Sequence, residues 1–123
     1  MPVVQIESAR YWNNTRIPVK TGERYEFEAQ GTWSDAGIVC GPEGYRSPNF
    51  LFVLLASFRR EPRAQWFALI GAINGDKATQ FLIGTGVTWT ATQSGVLTCF
   101  ANDLPLFYFN NSGAIDLVVT RVG

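Results

Sequence analysis

Hydrophobic and polar residues alternate most clearly at residues 24–29, Arg-Tyr-Glu-Phe-Glu-Ala. Successive side chains of a β-strand point to opposite faces, so Tyr25, Phe27 and Ala29 share one face and the charged residues share the other. This pattern is typical of an antiparallel strand that is half buried. The same alternation recurs at residues 87–92. The clearest periodicity in the chain is therefore that of β-strands.

Further strand-like runs follow one another at short intervals, separated by turn residues. They comprise residues 3–9, 17–19, 66–73, 80–85, 95–101 and 114–122. Asn13-Asn14 is predicted to be a turn, and Asn74-Gly75 strongly favours a hairpin. About eight short strands, with no convincing helix longer than two turns, predict an all-β fold, either a small antiparallel β-sandwich or a jelly roll.

Two segments lack the alternation of hydrophobic and polar residues. Residues 37–49 contain three glycines and two prolines and are predicted to form an ordered loop. Residues 50–58, Phe-Leu-Phe-Val-Leu-Leu-Ala-Ser-Phe, are almost entirely apolar, and periodicity does not distinguish a strand from a short helix there. The arginine-rich turn at 59–63 is interpreted as a solvated loop and not as a phosphate patch.

Length and composition restrict the class of protein. The 123 residues predict a single domain, 1–123, and the 46% of hydrophobic residues suffice for a core. Ten basic and ten acidic residues argue against a nucleic-acid-binding protein. No apolar run approaches 18 residues, so we expect no membrane span. We also expect no signal peptide, which leaves a cytoplasmic location or secretion by a non-classical route.

The chain contains no histidine and two cysteines, Cys40 and Cys99. The absence of histidine excludes Ser-His-Asp and Cys-His catalysis and zinc sites built on imidazole. Both cysteines are predicted to be reduced, since Cys99 lies in an apolar run where a buried thiol is ordinary. Glycosidases need a pair of spaced carboxylates, but Glu26 and Glu28 are interpreted as surface charges. We therefore predict that the protein is not an enzyme.

Oxygen-bearing side chains are concentrated in the connection at residues 102–113 between two predicted strands. Asp103, Asn110 and Asn111 converge on one point if this loop folds back. Calcium takes six to eight oxygen ligands of mixed origin and tolerates irregular geometry, so the loop is a candidate calcium site. It lacks the EF-hand pattern. The alternative is plain turn chemistry, which uses the same residue types.

The same loop resembles that of the LecA-like (PA-IL-type) family of calcium-dependent, galactose-binding bacterial lectins. The motif is Asn-Asp-Leu-Pro at residues 102–105, followed by Asn-Asn-Ser-Gly at 110–113 and a final alternating strand. Weaker matches occur in the same order upstream, including Gly-Pro-Glu-Gly at 41–44. The resemblance implies a jelly-roll-like, galactose-binding-domain-like sandwich.

The resemblance also implies a ligand set. Asp103 is the expected carboxylate ligand of calcium, Asn110 and Asn111 are the amide ligands, and Phe107 supplies a main-chain carbonyl. A second carbonyl comes from Asp35 or Ala36, with Asp35 preferred. Sugar hydroxyls complete the metal shell. The residues expected to contact the sugar are Asp103, Leu104, Asn110, Pro48 and Asn49.

One departure from the family affects the expected ligand. Members carry a His-Pro-x-Gln stretch that helps to hold the sugar, whereas residues 47–50 here are Ser-Pro-Asn-Phe. The predicted function is therefore calcium-dependent binding of galactose or a related sugar. The alternative is a non-catalytic structural or assembly module that has lost sugar recognition. Family members are homotetramers, so we expect a homo-oligomer, either a dimer or a tetramer.

Overall fold

The computed structural model describes residues 3–47 and 49–123, which form two antiparallel β-sheets and one short α-helix. The strands are β1 (Val3–Glu7), β2 (Asn13–Val19), β3 (Arg24–Asp35), β4 (Ile38–Cys40), β5 (Leu69–Ile73), β6 (Asp76–Leu82), β7 (Gly86–Thr90), β8 (Gly95–Ala101) and β9 (Asn111–Arg121). Helix α1 (Phe50–Leu55) continues into a 3-10 turn at Ala56–Phe58, and a second 3-10 turn spans Tyr108–Asn110. The predicted all-β sandwich is confirmed, with nine strands.

The two sheets pack face to face. One has the strand order β1-β9-β3-β4, with β7 also paired to β3, and the other has the order β2-β8-β5-β6. As the alternation predicts, Tyr25, Phe27 and Ala29 are buried, whereas Glu26 and Glu28 are exposed on the outer face. No described helix has the length and apolar character needed to cross a membrane.

The core lies between the sheets and receives side chains from both. Its largest fully buried members are Trp33, Phe27, Phe67, Ile6, Leu69, Ile73, Ile83, Leu97, Ile115 and Leu117. The indole Nε1–H of Trp33 donates to the Phe67 carbonyl at 3.1 Å, so its polar atom is satisfied inside the core. Cys99 is buried in this core and Cys40 is half-buried, and both are free thiols.

The outer face of the four-stranded sheet is also covered. Ile70 and Phe100 pack beneath the 59–68 connection, together with Trp12. The guanidinium of Arg60 lies 3.5 Å from the centroid of the Phe100 ring, and Arg60 is buried. Every residue of β5 is consequently buried, because both faces of this strand are packed.

The structure corrects three predictions of local structure. Asn13 and Asn14 begin β2 and are not a turn, because the Asn13 side chain accepts from the Glu7 N–H at 2.9 Å and donates to the Cys99 carbonyl. The strand predicted at 66–73 starts only at Leu69, since Phe67 has a positive φ of 61° that interrupts extended backbone. The predicted loop at 37–49 contains the short strand β4.

The hairpin between β5 and β6 provides a test of local strain. Asn74 and Gly75 have φ values of 54° and 65°, as the predicted Asn-Gly turn requires. A Cβ at position 75 would make only ordinary van der Waals contacts with Trp12. The cost of alanine there therefore comes from its left-handed backbone conformation. We expect Gly75→Ala to lower the free energy of unfolding by about 1 kcal/mol. Urea unfolding measures this, with Lys77→Ala as a control on the same hairpin, and equal stability of the two variants would refute it.

Candidate functional site

Three strand ends bring the predicted polar residues together at one end of the sandwich. β3 ends at Asp35 and β9 begins at Asn111, and these two residues are paired in register. β8 ends at Ala101, so Asp103 lies two residues beyond it, at the start of the 102–110 loop. The Ala36 N–H donates to the Asn110 carbonyl at 3.2 Å, which joins this loop to the end of β3.

Asp103 lies at the base of this site and is only 3% exposed. Its Oδ1 accepts a hydrogen bond from the Leu104 N–H at 2.7 Å. Its Oδ2 is buried and has no hydrogen-bond partner among the described residues. A buried carboxylate oxygen without a donor carries a large desolvation cost, which indicates that a group is missing from its surroundings.

Asn111 presents a second unpartnered oxygen. Its Nδ2 donates to the Ser8 carbonyl at 3.0 Å, which fixes the orientation of the amide. Its Oδ1 is buried and, within the described residues, accepts no hydrogen bond. Asp35, like Asn111, is 7% exposed, and its Oδ2 accepts from the Tyr45 hydroxyl at 2.6 Å. The site therefore combines two carboxylates with an amide oxygen.

Burial raises the cost of ionising both carboxylates, and the charge of Asp35 adds to the cost for Asp103. Burial raises the pKa of Asp103 to about 6, and the negative charge of Asp35 adds to this rise. The hydrogen bond from the Leu104 N–H opposes it only in part. Burial likewise raises the pKa of Asp35, against the lowering effect of the Tyr45 hydrogen bond. A bound cation would stabilise both ionised forms, since an opposite charge favours them.

A groove of about 270 Å³ opens above the site. Asp35, Asp103 and Asn110 form its polar end. Its walls are otherwise apolar and come mainly from α1 and from the loops: Ile38, Leu51, Phe52, Leu55, Trp66, Leu104 and Phe107. Residues 50–58, for which periodicity does not distinguish strand from helix, thus form a helical wall of this groove.

Some of the site residues predicted from the sequence line the groove, and others do not. Leu104, Phe107 and Asn110 line the groove with Asp103, and Ala36 lies beside Asp35. Asn49 is the N-cap of α1, where its Oδ1 accepts from the Leu51 N–H at 2.9 Å, and it is not among the groove-lining residues. Pro48 lies outside the described residues. The ligand roles of all these residues stay predictions.

Sequence reasoning missed two contributors to the site. Ser8 orients Asn111 through its main-chain carbonyl, for which no residue-type signal exists. The sequence predicts only a main-chain carbonyl from Asp35, but its carboxylate also faces the site and is held by Tyr45. Among residues 3–47 and 49–123, no three acidic, cysteine or histidine side chains lie close enough together to hold a metal ion.

Comparison with known proteins identifies the fold. No protein-family model matches the chain, and no curated protein matches it in sequence. A solved structure, described as an EclA N-terminal domain and PllA-like lectin, superposes with a TM-score of 0.71 at 18% identity. The match covers 98% of this chain and 95% of that one. The chain has the fold of a PllA-like lectin. At this identity the likeness concerns the fold alone, and membership of the LecA-type family stays a prediction.

Proposed function

We propose that this protein is a lectin that binds sugar hydroxyls through a calcium ion at the Asp103 site. One observation carries the proposal. Asp103 Oδ2 and Asn111 Oδ1 are both buried and unpartnered among the described residues, beside a second carboxylate, that of Asp35. Two buried oxygens left without donors are the expected result of removing a hard cation from its ligands.

The donor set fits calcium. Asp103 Oδ2 and Asn111 Oδ1 would hold the ion, and Asn110 and the carbonyls of Phe107 and of Asp35 or Ala36 would add neutral oxygens. Calcium accepts such a mixture of carboxylate, amide and main-chain oxygen. With so few charges near the ion, we expect moderate calcium affinity. When bound, the ion supplies coordination sites for sugar hydroxyls.

The groove supports a small polar ligand at its Asp103 end. Leu104 and Asn110 stand beside Asp103 on the groove wall and would contact the sugar. Asn49 and Pro48 remain the candidate residues for contacts to the outer part of the sugar ring. Galactose or a related sugar is the expected ligand, on the resemblance of the 102–113 loop to the LecA-type motif.

Thermal unfolding tests the proposal directly. The midpoint is measured in EDTA, in calcium, and in calcium with galactose or other sugars. We expect calcium to raise the midpoint and a sugar to raise it further, since each ligand binds only the folded state. Asp103→Ala should abolish both responses, whereas Asp116→Ala, on β9, should keep them.

The alternative outcomes are distinct. A calcium response without any sugar response would favour the structural or assembly module over the lectin. No calcium response, in folded protein shown to be metal-free, would exclude the proposed metal site.

We further propose a homo-oligomer, either a dimer or a tetramer. A single sugar site binds weakly, and several sites on one particle gain avidity. Each sheet has edge strands, such as β1 in one sheet and β6 in the other, and pairing between copies would cover them. Light scattering of the purified protein measures the mass, and a monomer of 13.6 kDa at all concentrations would contradict this.

A further inference from the structure

Large apolar side chains are exposed around the mouth of the groove. Four of the six residues of α1 are exposed and the other two are half-buried, although all six are apolar. The neighbouring 102–110 loop and β4 add further exposed apolar side chains. We call this surface the apolar rim, and its members include Val39, Phe50, Leu51, Leu54, Leu106 and Phe109.

The apolar rim is continuous with the candidate sugar site. Leu51 and Phe107 line the groove itself, and the rings of Phe107 and Phe109 lie 6.2 Å apart. Leu106 and Phe109 extend outward from the same loop and are 84% and 81% exposed. A ligand that enters the groove must therefore pass between apolar side chains.

Charged residues are absent from most of the apolar rim and lie beside its helical part. Residues 47–58 and 104–115, which supply most of the rim, contain no charged residue. Arginines border the helical part instead: Arg46 and Arg59 line a cavity on the other side of Phe52 and Trp66. Arg63 lines the same cavity but is paired with Glu61 at 2.8 Å. An uncharged apolar surface bordered by arginines matches the acyl boundary and the anionic headgroups of a lipid bilayer.

We propose that the apolar rim docks on the surface of a lipid bilayer. Docking would hold the Asp103 site against the membrane, a consequence for sugar binding that rests on the proposed lectin function. Aromatic and leucine side chains at exposed loop tips partition into the bilayer interface. A second copy of the chain on the same rim would close the groove against its sugar, whereas a bilayer presents the sugar to it.

Vesicle flotation of the intact protein tests the docking. The vesicles are phosphatidylcholine alone, phosphatidylcholine with phosphatidylserine, and phosphatidylcholine with a galactosyl glycolipid. We expect binding to all three, strengthened by phosphatidylserine and, in calcium, by the glycolipid. Leu106→Ser with Phe109→Ser should lower the partition coefficient roughly tenfold or more. Leu82→Ser, on β6 and 52% exposed, is the matched control and should bind like the parent protein.

The test separates docking from sugar recognition. Asp103→Ala should lose the glycolipid enhancement but keep its binding to glycolipid-free vesicles, so failure of the lectin proposal leaves the docking measurable. Failure of the parent protein to float with any vesicle would overturn the docking, as would equal flotation of the double variant. If the parent protein is a dimer that does not bind vesicles, and the double variant is a monomer, the apolar rim is instead the interface with a second copy.

Discussion

Asp103→Asn is expected to stabilise the metal-free protein at pH 7 by about 1–2 kcal/mol while abolishing its stabilisation by calcium. The pKa of Asp103 is raised to about 6, first by burial and then by the charge of Asp35, above its ordinary value of 3.8. At pH 7 the carboxylate is ionised in a site that disfavours its charge. An asparagine keeps the acceptor for the Leu104 N–H and cannot ionise, so it removes this cost.

The same carboxylate sets a pH dependence. Between about pH 4 and pH 6 the folded protein binds more protons than the unfolded chain, because the folded pKa of Asp103 is the higher. The contribution of Asp103 to the stability of metal-free protein should therefore fall as pH rises through this window, and stay at the lower level above it. The difference in stability between the parent protein and Asp103→Asn isolates this contribution from that of Glu61, whose lowered pKa acts in the opposite direction. Calcium should reverse the loss above about pH 6, where the carboxylate is free to bind it.

Urea unfolding from pH 4 to pH 8, in EDTA and in calcium, measures both effects. Asp116→Asn is the control, since it removes a carboxylate from β9 without touching the site. If Asp103→Asn were less stable than the parent protein in EDTA at pH 7, Asp103 would be a structural residue. If the variant still responded to calcium, the ion would bind elsewhere.

Asn102→Ala is expected to lower the free energy of unfolding by about 3–5 kcal/mol. Asn102 is fully buried, and its Oδ1 accepts from the Glu61 N–H at 2.9 Å. Its Nδ2 donates to the carbonyls of Glu61 at 2.9 Å and of Gln65 at 3.0 Å. Alanine would leave the Glu61 N–H buried without its acceptor and would remove the side-chain hydrogen bonds that hold residues 61–65 against the site loop. The main-chain hydrogen bonds between Asn102 and residues 67–68 would remain.

Urea unfolding in EDTA measures this loss without a contribution from metal. Asn110→Ala is the matched control, because Asn110 belongs to the same loop and is exposed. The control should change stability by less than about 0.5 kcal/mol. A loss below about 1 kcal/mol for Asn102→Ala would show that water replaces the amide, and that Asn102 does not anchor the connection.

Asn102 also illustrates how a sequence motif combines different roles. It opens the Asn-Asp-Leu-Pro motif, yet its side chain serves only the fold, whereas the next residue, Asp103, faces the candidate site. Gly44, in the Gly-Pro-Glu-Gly match, is similarly structural. A Cβ there would lie 2.3 Å from the Trp66 carbonyl oxygen, and its φ is 79°. The spacing of a motif identifies such residues together, but it does not distinguish residues that bind a ligand from residues that stabilise the fold.

The amino-acid sequence by itself determined the class of fold. Alternation at residues 24–29, the Asn74-Gly75 hairpin and the spacing of turns are local signals, and strands follow from them because side-chain direction has a period of two. The sequence also indicated the polar 102–113 loop as the candidate site. The absence of histidine, which is a matter of composition alone, excluded imidazole from the chemistry of that site.

Only the tertiary structure decided which oxygens meet. Asp35 faces Asn111 because β3 and β9 pair in that register, over a separation of 76 positions that no local pattern encodes. The helical state of residues 50–55 was likewise seen only in the structure, where Asn49 caps the helix, since an apolar run carries no periodicity of its own. Burial then left Asp103 Oδ2 and Asn111 Oδ1 without donors among the described residues. Whether a buried oxygen lacks a donor depends on all of its neighbours in space, so this property arises only when the chain is folded.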